Sequence, residues 1–525
     1  MTIRTRSPDT EYQLLDEPLF GVEDEAGWQH RLTLPGLLAR LSSGAHAEFG
    51  ALQAHQQHAW HSFLVQLAAL ALVRSDSPES IQRSEEEWRA LLVQAAEADG
   101  GGEEAFALVV PDLRRPAFLQ PPIPSGELGE LKSEHEAPSE ELDVLITSKN
   151  HDVKVHTVTS PTPEHWVFAL VMLQTMQGFL GAGNYGIARM NGGFSSRPCF
   201  SYSPDLGSAP RFVRDLTVLL GAREHLLEQV DRRKKLLGLT WCAPWDGTTS
   251  LALPSLDPFF IEICRRVRLV SRGERIVAYR GSSKAARIDG KEAHGNTGDP
   301  WTPVDVKEGA SLTLPEAGFH YERVRDLLFG DWKLGAAGEL RPADGKQPWL
   351  VAQALVRGQG KTGGYHERWL EVPAKATRFF LDREARKGLA TRAMGWTGFV
   401  KDMRLKVLKP AVLSFLQGGP DKLDFRDERA DPTVARLDAR VDREFFRLLF
   451  EHADEASEGA DAAFQGWLFD AAREELERAF TSLPTSSARR ARGIASAERA
   501  FFGAAKKNLP LRKTAAGTEP QGEST

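Results

Sequence analysis

Residues 142–200 read LDVLITSKNHDVKVHTVTSPTPEHWVFALVMLQTMQGFLGAGNYGIARMNGGFSSRPCF, and the order of textures in this stretch decides how the rest of the chain is parsed. A β-like run, Val144, Leu145, Ile146 and Thr147, leads into a polar loop carrying Lys149, Asn150 and His151. Pro161 and Pro163 then open an apolar helix; proline suits a first helical turn, where its missing N–H leaves no intrahelical bond unmade. The helix runs out at Gly178. From there glycines stand at 178, 181, 183, 186, 192 and 193, with Arg189 and Asn191 among them. A backbone so rich in glycine admits close approach, and the interleaved arginine points to something bulky and anionic. A tight reversal explains one or two glycines; six in sixteen residues exceed that need and favour a functional loop. Nucleic acid is the first candidate.

At 525 residues the chain is too long for one hydrophobic core, so at least two domains are expected. Hydrophobic residues at 41% and charged residues at 26% fit a globular protein rather than a disordered one. Three cysteines, Cys199, Cys242 and Cys264, match neither a zinc motif nor a disulfide framework and point to a reducing, cytoplasmic setting. The first twenty residues hold no apolar core with a cleavage site, and the longest nearly apolar run, Phe63–Val73, is too short for a bilayer; neither secretion nor membrane insertion is expected. The net charge of −6 argues against a simple DNA-coating protein. Residues 374–525 hold 27 Lys+Arg against 23 Asp+Glu, a net of +4, which leaves 39 against 49, or −10, for residues 1–373. Nucleic acid would be met by local patches inside a larger assembly.

Two regimes follow along the chain. Residues 1–372 mix short β-like runs (Ile276–Tyr279, Ser311–Leu314, Trp349–Val356) with helices and Pro/Gly-rich connections, the pattern of an irregular α/β domain. Residues 373–509 are helical almost throughout, with terminators at Gly418-Gly419-Pro420, around Ser457-Glu458-Gly459 and at Ser482-Leu483-Pro484. Phe445, Leu448, Leu449 and Phe464, Trp467, Leu468 recur at i, i+3, i+4 spacing, as in a four-helix bundle. The fold class is therefore α+β, with a polar, disordered tail expected over 510–525.

Three further constellations bear on chemistry. His55, His58 and His61 stand three apart on an expected helix, and histidines at such spacing can share a metal; the set drifts round the helix with no carboxylate at ligand spacing, so polar decoration beside a buried apolar half is the favoured reading. Val356–Gly364 contains GKT but has Leu355 where a phosphate-binding loop needs glycine. A Gly-rich hairpin presenting Gln359, Lys361 and Thr362 and a plain β-turn stand level. Asn150-His151-Asp152, with Lys149, Lys154 and His156, suggests either a nucleic-acid or partner contact, or metal-dependent nuclease chemistry; an ordinary solvated loop competes with both. No motif calls for a cofactor.

Taken in order, Pro116-Ala117-Phe118-Leu119-Gln120, the SKNH loop, ALVMLQTMQGFLGAGNYGIARMNGG, TWCAPW near 240–245 and the late helical bundle resemble the large subunit of the type I-E CRISPR Cascade complex, the CasA family. The resemblance is collinear over nearly the whole chain and densest between 116 and 200. It implies a non-catalytic subunit of a crRNA-guided antiviral complex that recognises the PAM in double-stranded DNA, begins unwinding it and helps recruit a helicase-nuclease in trans. Its implied partners are crRNA-containing Cascade subunits and PAM-bearing target DNA. The resemblance places the minor-groove glycine loop on Gly178, Gly181, Ala182 and Gly183. It puts the basic PAM contact at Lys284 or Arg287 in YRGSSKAARI, and the wedge near Lys361 and Thr362 with Gln359. The guide-facing loop falls on Lys149, Asn150, His151, Asp152 and Lys154. Some relatives carry a cysteine cluster ahead of the basic contact; Arg265–Tyr279 has none, and no structural metal is implied.

Overall fold

The helix Gln57–Val73 is apolar on every side, and a helix without a polar face has to be wrapped by its neighbours. Every side chain from His58 to Leu72 except His61 is buried. Around it pack the helices Glu85–Ala98, Pro163–Met176 and Ser208–Leu227 and the strand Leu256–Ile261. The computed structural model describes residues 10–131, 139–142, 161–193, 195–228, 235–358 and 361–509. Over these the chain is mixed α and β, with several small sheets and a helical C-terminal region. It forms two compact units: the chain up to Phe319 together with Asp331–Glu371, and His320–Gly330 together with the chain from Val372.

In the first unit the sheets are small because most strands pair with a single neighbour. The largest places Lys361–Glu371, Trp349–Gly358 and Cys199–Ser203 side by side, antiparallel throughout. Arg266–Arg272 and Arg275–Gly281 make a second hairpin, turning at Gly273 with φ +63°. Ser311–Leu314 does not form the strand its sequence suggests; Ser311 makes one isolated bridge to Val304.

Two glutamines of the CasA-like motifs are core fasteners. The Gln174 carboxamide donates to the carbonyls of Leu119 (2.9 Å) and Arg265 (3.0 Å) and accepts from the amides of Cys264 (2.9 Å) and Arg265 (2.8 Å). Gln120 donates to Leu108 O at 2.9 Å and accepts from Leu269 N at 2.6 Å. A buried amide group is costly unless all its bonds are made, and here they join the 116–120 segment, the 163–176 helix and the 266–272 strand.

The second unit is helical. Arg383–Asp402 continues through a π-helical turn, Met403–Leu408, into Lys409–Gln417. Pro410 explains the wider turn: it lacks an N–H, and its ring would meet the carbonyl four residues back. Gly418 (φ +73°) and Gly419 (φ +69°) end this helix as expected. The next break falls at residues 452–456, and Ser457-Glu458-Gly459 instead opens the helix Ser457–Ser482. Asp431–Glu451 and Ser487–Asn508 complete the set of long helices. Trp396 stacks on Phe464 with centroids 4.0 Å apart, its indole N–H bound to Asp461 at 2.7 Å. The short helix Tyr321–Phe329 joins the same core, Tyr321 lying 4.8 Å from Phe445 and Phe329 5.8 Å from Phe380 between ring centroids.

Candidate nucleic-acid interface

The loop after Met176 is built by hydrogen bonds to itself. Phe179 N donates to Gly193 O (2.7 Å), Ile187 N to Gln177 O (3.0 Å), and a turn closes with Asn184 N on Gly181 O (3.0 Å) and Leu180 N on Asn184 O (2.9 Å). Its glycines have different duties. Gly178 is buried, and a Cβ there would lie 2.4 Å from Gly193 O and 2.7 Å from Ser195 O, so it permits close packing rather than access from outside. Gly181 has φ +109° with open space beyond it. Gly183 has φ +84° and would place a Cβ 2.7 Å from that of Ser282. Leu180 and Ala182 are exposed beside them. Positive φ at two neighbouring residues favours glycine at both.

Behind the turn, Arg265 is buried and its guanidinium donates to Gly178 O at 2.8 Å and to Tyr185 O. Sequence reasoning missed this residue, since nothing local separates it from the arginines of the strand Arg266–Arg272 that follows it. The turn rests on the 282–284 segment: Ser283 N donates to Gly183 O at 3.0 Å and Tyr185 Oη to Lys284 O at 3.3 Å. Lys284 itself is exposed, its amide held by Gly247 O at 2.6 Å. Gly181, Ala182, Gly183 and Lys284 are thereby brought to one place.

Arg287 is not brought there. It is buried, and its guanidinium donates to Thr240 O (2.8 Å), Ala243 O (2.8 Å) and Pro244 O (3.0 Å) beside the Trp245 ring. Burial lowers its pKa to about 10. The expected DNA contact at this residue is thus corrected: Arg287 fastens the TWCAPW segment, and Lys284 is the exposed cation of the pair. Arg189 is corrected in the same way. Its guanidinium lies 3.9 Å from the Phe260 centroid, donates to Phe260 O at 2.9 Å and faces Glu262 (3.8 Å) and Asp299 (3.6 Å).

Two antiparallel strands flank the GKT sequence, as both the hairpin and the plain-turn readings require. Arg357 pairs with Thr362 and Gly358 with Lys361, with a bulge after Val356 that takes up Gly363. Gln359 lies outside the described residues, and so do Lys149, Asn150, His151, Asp152, Lys154 and His156. The hairpin's inner strand is tied to the end of the glycine loop: Ser196 N donates to Leu355 O (2.8 Å), and Leu355 N to Ser196 Oγ (2.6 Å).

The histidine trio is not surface decoration. His55 and His58 are buried, and His61 bonds Asp215 at 2.9 Å. His58 stacks on Tyr365 with centroids 5.8 Å apart, and neither ring nitrogen has a hydrogen-bond partner. Among the described residues no group of three or more His, Cys, Asp and Glu side chains is placed to hold a metal, and no helix is long and apolar enough to cross a membrane.

These features define a class: an irregular α/β unit carrying a glycine turn, an exposed lysine and a long hairpin, with a helical unit beside it in sequence. Solved structures of CasA (Cse1) share that fold. CasA (Cse1) from Thermus thermophilus matches over 95% of this chain and 100% of its own, at 16% identity and a TM-score of 0.61. The CRISPR-associated protein Cse1 from Acidimicrobium ferrooxidans matches over 96% and 100%, at 15% identity and 0.61. Thermobifida fusca Cse1 matches over 95% and 98%, at 12% identity and 0.61. At these identities the likeness is one of fold. No protein-family model and no curated protein matches the chain.

Proposed function

We propose that this chain is the large, non-catalytic subunit of a cytoplasmic, crRNA-guided Cascade complex, meeting the PAM of double-stranded target DNA through the Gly181–Gly183 turn and Lys284. The observation that carries the reading is the Ser283 amide on the Gly183 carbonyl, which seats an exposed lysine beside a turn of two glycines and one alanine. A narrow groove demands close backbone approach, and one cation suffices for a phosphate or a groove acceptor. The minor groove carries a degenerate code, so several PAMs should be accepted. RNA-guided effectors of the Cas9 type divide the labour in the same way, the guide reading the target by base pairing and the protein reading only the PAM. The hairpin formed by Trp349–Gly358 and Lys361–Glu371 is the proposed wedge, through Lys361 and Thr362 with Gln359. The segment 149–154 is the proposed guide contact, and a helicase-nuclease the proposed recruit.

The test is binding of the reconstituted complex to duplexes that differ only in the PAM. A Gly183→Asp complex should assemble but lose PAM discrimination, because the new side chain both meets Ser282, shifting the segment that carries Lys284, and sets a carboxylate against phosphate. Equal affinity of the unaltered complex for PAM and non-PAM duplexes would overturn the reading.

A further inference from the structure

The helix Ser487–Asn508 differs in charge from its neighbours. It carries Arg489, Arg490, Arg492, Arg499, Lys506 and Lys507 against the single acid Glu498. On the helix Asp431–Glu451 three arginines are matched with acids: Arg436 with Glu475 (2.9 Å), Arg440 with Glu474 (2.5 Å), Arg447 with Glu444 and Glu451 (2.6 and 2.7 Å). Among the described residues Arg489, Arg492, Arg499, Lys506 and Lys507 form no ion pair, and all five are exposed. Arg492 reaches one carbonyl, Gly419 O at 3.3 Å, which leaves its charge unneutralised. Arg490 is the exception in use, bonding Phe480 O and lying over the Phe415 ring.

Two features separate this from ordinary surface charge. Lysines in a last turn suit the helix dipole, but arginines at 489, 490 and 492 sit in the first turns, where a cation is disfavoured. Arg492, Arg499 and Lys506 also recur every seven residues, which aligns them along one face about 10 Å apart. Between them the exposed small residues are Ala495 and Gly503, while Ser496 turns inward to bond Ser414 Oγ at 2.8 Å, so a chain can lie close to the outer side of the helix; Phe502 stands exposed at its edge.

We propose that this face is a track for single-stranded nucleic acid, the cations meeting successive phosphates and Phe502 offering a ring on which a base stacks. A membrane surface is the poorer partner. The helix has already buried Gly493, Ala497, Phe501 and Ala505 in its own unit, so no apolar face is left to enter a bilayer. The assignment goes beyond the PAM reading, which concerns the first unit.

Fluorescence anisotropy of the full chain with a labelled 20-nucleotide oligothymidylate, over a salt series, tests it. Arg492→Ala/Arg499→Ala/Lys506→Ala should weaken binding at least tenfold at low salt and flatten the slope of log affinity against log salt by about 2, from roughly 0.7 per phosphate on a single strand. Phe502→Ala should weaken it by about fivefold or more and leave the slope alone. A control triple at paired cations, Lys387→Ala/Arg440→Ala/Arg447→Ala, should bind as the unaltered chain does, and circular dichroism should show equal helix content in all. Unchanged affinity and slope in the first triple variant would overturn the track. So would an equal loss in the control, or tighter binding of phosphatidylserine vesicles than of the oligonucleotide. PAM-duplex binding measured in parallel keeps the two readings apart: a triple variant that loses the oligonucleotide but keeps PAM discrimination supports a separate track, and one that loses both in step overturns it.

Discussion

The amide of Ser283 donates to the carbonyl of Gly183 at 3.0 Å, and the Cβ of its neighbour Ser282 fills the space a side chain at 183 would take. Gly183 is therefore constrained twice, by φ and by contact. Gly183→Ala should destabilise the turn by about 1–2 kcal/mol through its left-handed backbone alone and displace the 282–284 segment besides. Adding Ser282→Gly should recover part of the loss. Thermal melts of the single and double variants check this; equal melting temperatures for the two would show that the contact does not matter.

Lys284 and Arg287 separate cleanly. Lys284→Ala should leave the melting temperature unchanged and reduce the salt slope of duplex binding by about 0.9, one phosphate contact. Arg287→Ala removes three buried bonds and should cost roughly 3 kcal/mol of stability. Chemical denaturation beside salt-dependent binding distinguishes them, and a stable Arg287→Ala chain with weakened DNA binding would reverse the assignment.

For the hairpin, opening base pairs costs on the order of 1–2 kcal/mol per stacked step, so a wedge acts on strand separation more than on docking. Replacing Gln359, Lys361 and Thr362 by Ala should slow R-loop formation on a linear duplex. Pre-melting the first target base pairs should restore it. Normal unwinding by the variant would leave the hairpin as a turn only.

His58 links fold to pH. Burial first, then the nearby His55 and the guanidinium groups of Arg197 and Arg211, hold its pKa down at about 3. Between about 3 and the ordinary 6.5 the unfolded chain binds a proton that the folded one does not, so stability falls as pH drops through that window. His58→Phe removes both this loss and two unsatisfied buried nitrogens. It should stabilise the chain by about 1–3 kcal/mol at neutral pH and flatten the acid side of the stability profile; melting temperatures from about pH 4 to 8 measure both effects.

Legibility in the sequence follows locality. The 163–176 helix, the strands at 275–281 and 349–358 and the helix ends at 417 and 482 are readable because proline, glycine and apolar period act within a few residues. Arg189, Arg287 and the histidines mislead for one shared reason: a charged or polar side chain looks the same in sequence whether water or a buried carbonyl satisfies it. Their partners Asp299, Ala243 and Asp215 are tens to hundreds of residues away. Gly178 and Gly183 share a spacing but not a role, because only the fold sets Gly193 O against one and Ser282 against the other.

The Tyr321–Phe329 helix has a consequence for biosynthesis. Tyr321, Val324, Leu327 and Leu328 are buried in the unit that starts again at Val372, and Tyr321's ring partner Phe445 is translated more than a hundred residues later. At ordinary elongation rates the ribosome holds this apolar segment without its partner for roughly ten seconds. During that time the nascent chain shows a short sticky helix flanked by the strands of the other unit. A trigger-type chaperone, or a slow codon run after Gly330, would therefore act on this segment during that interval.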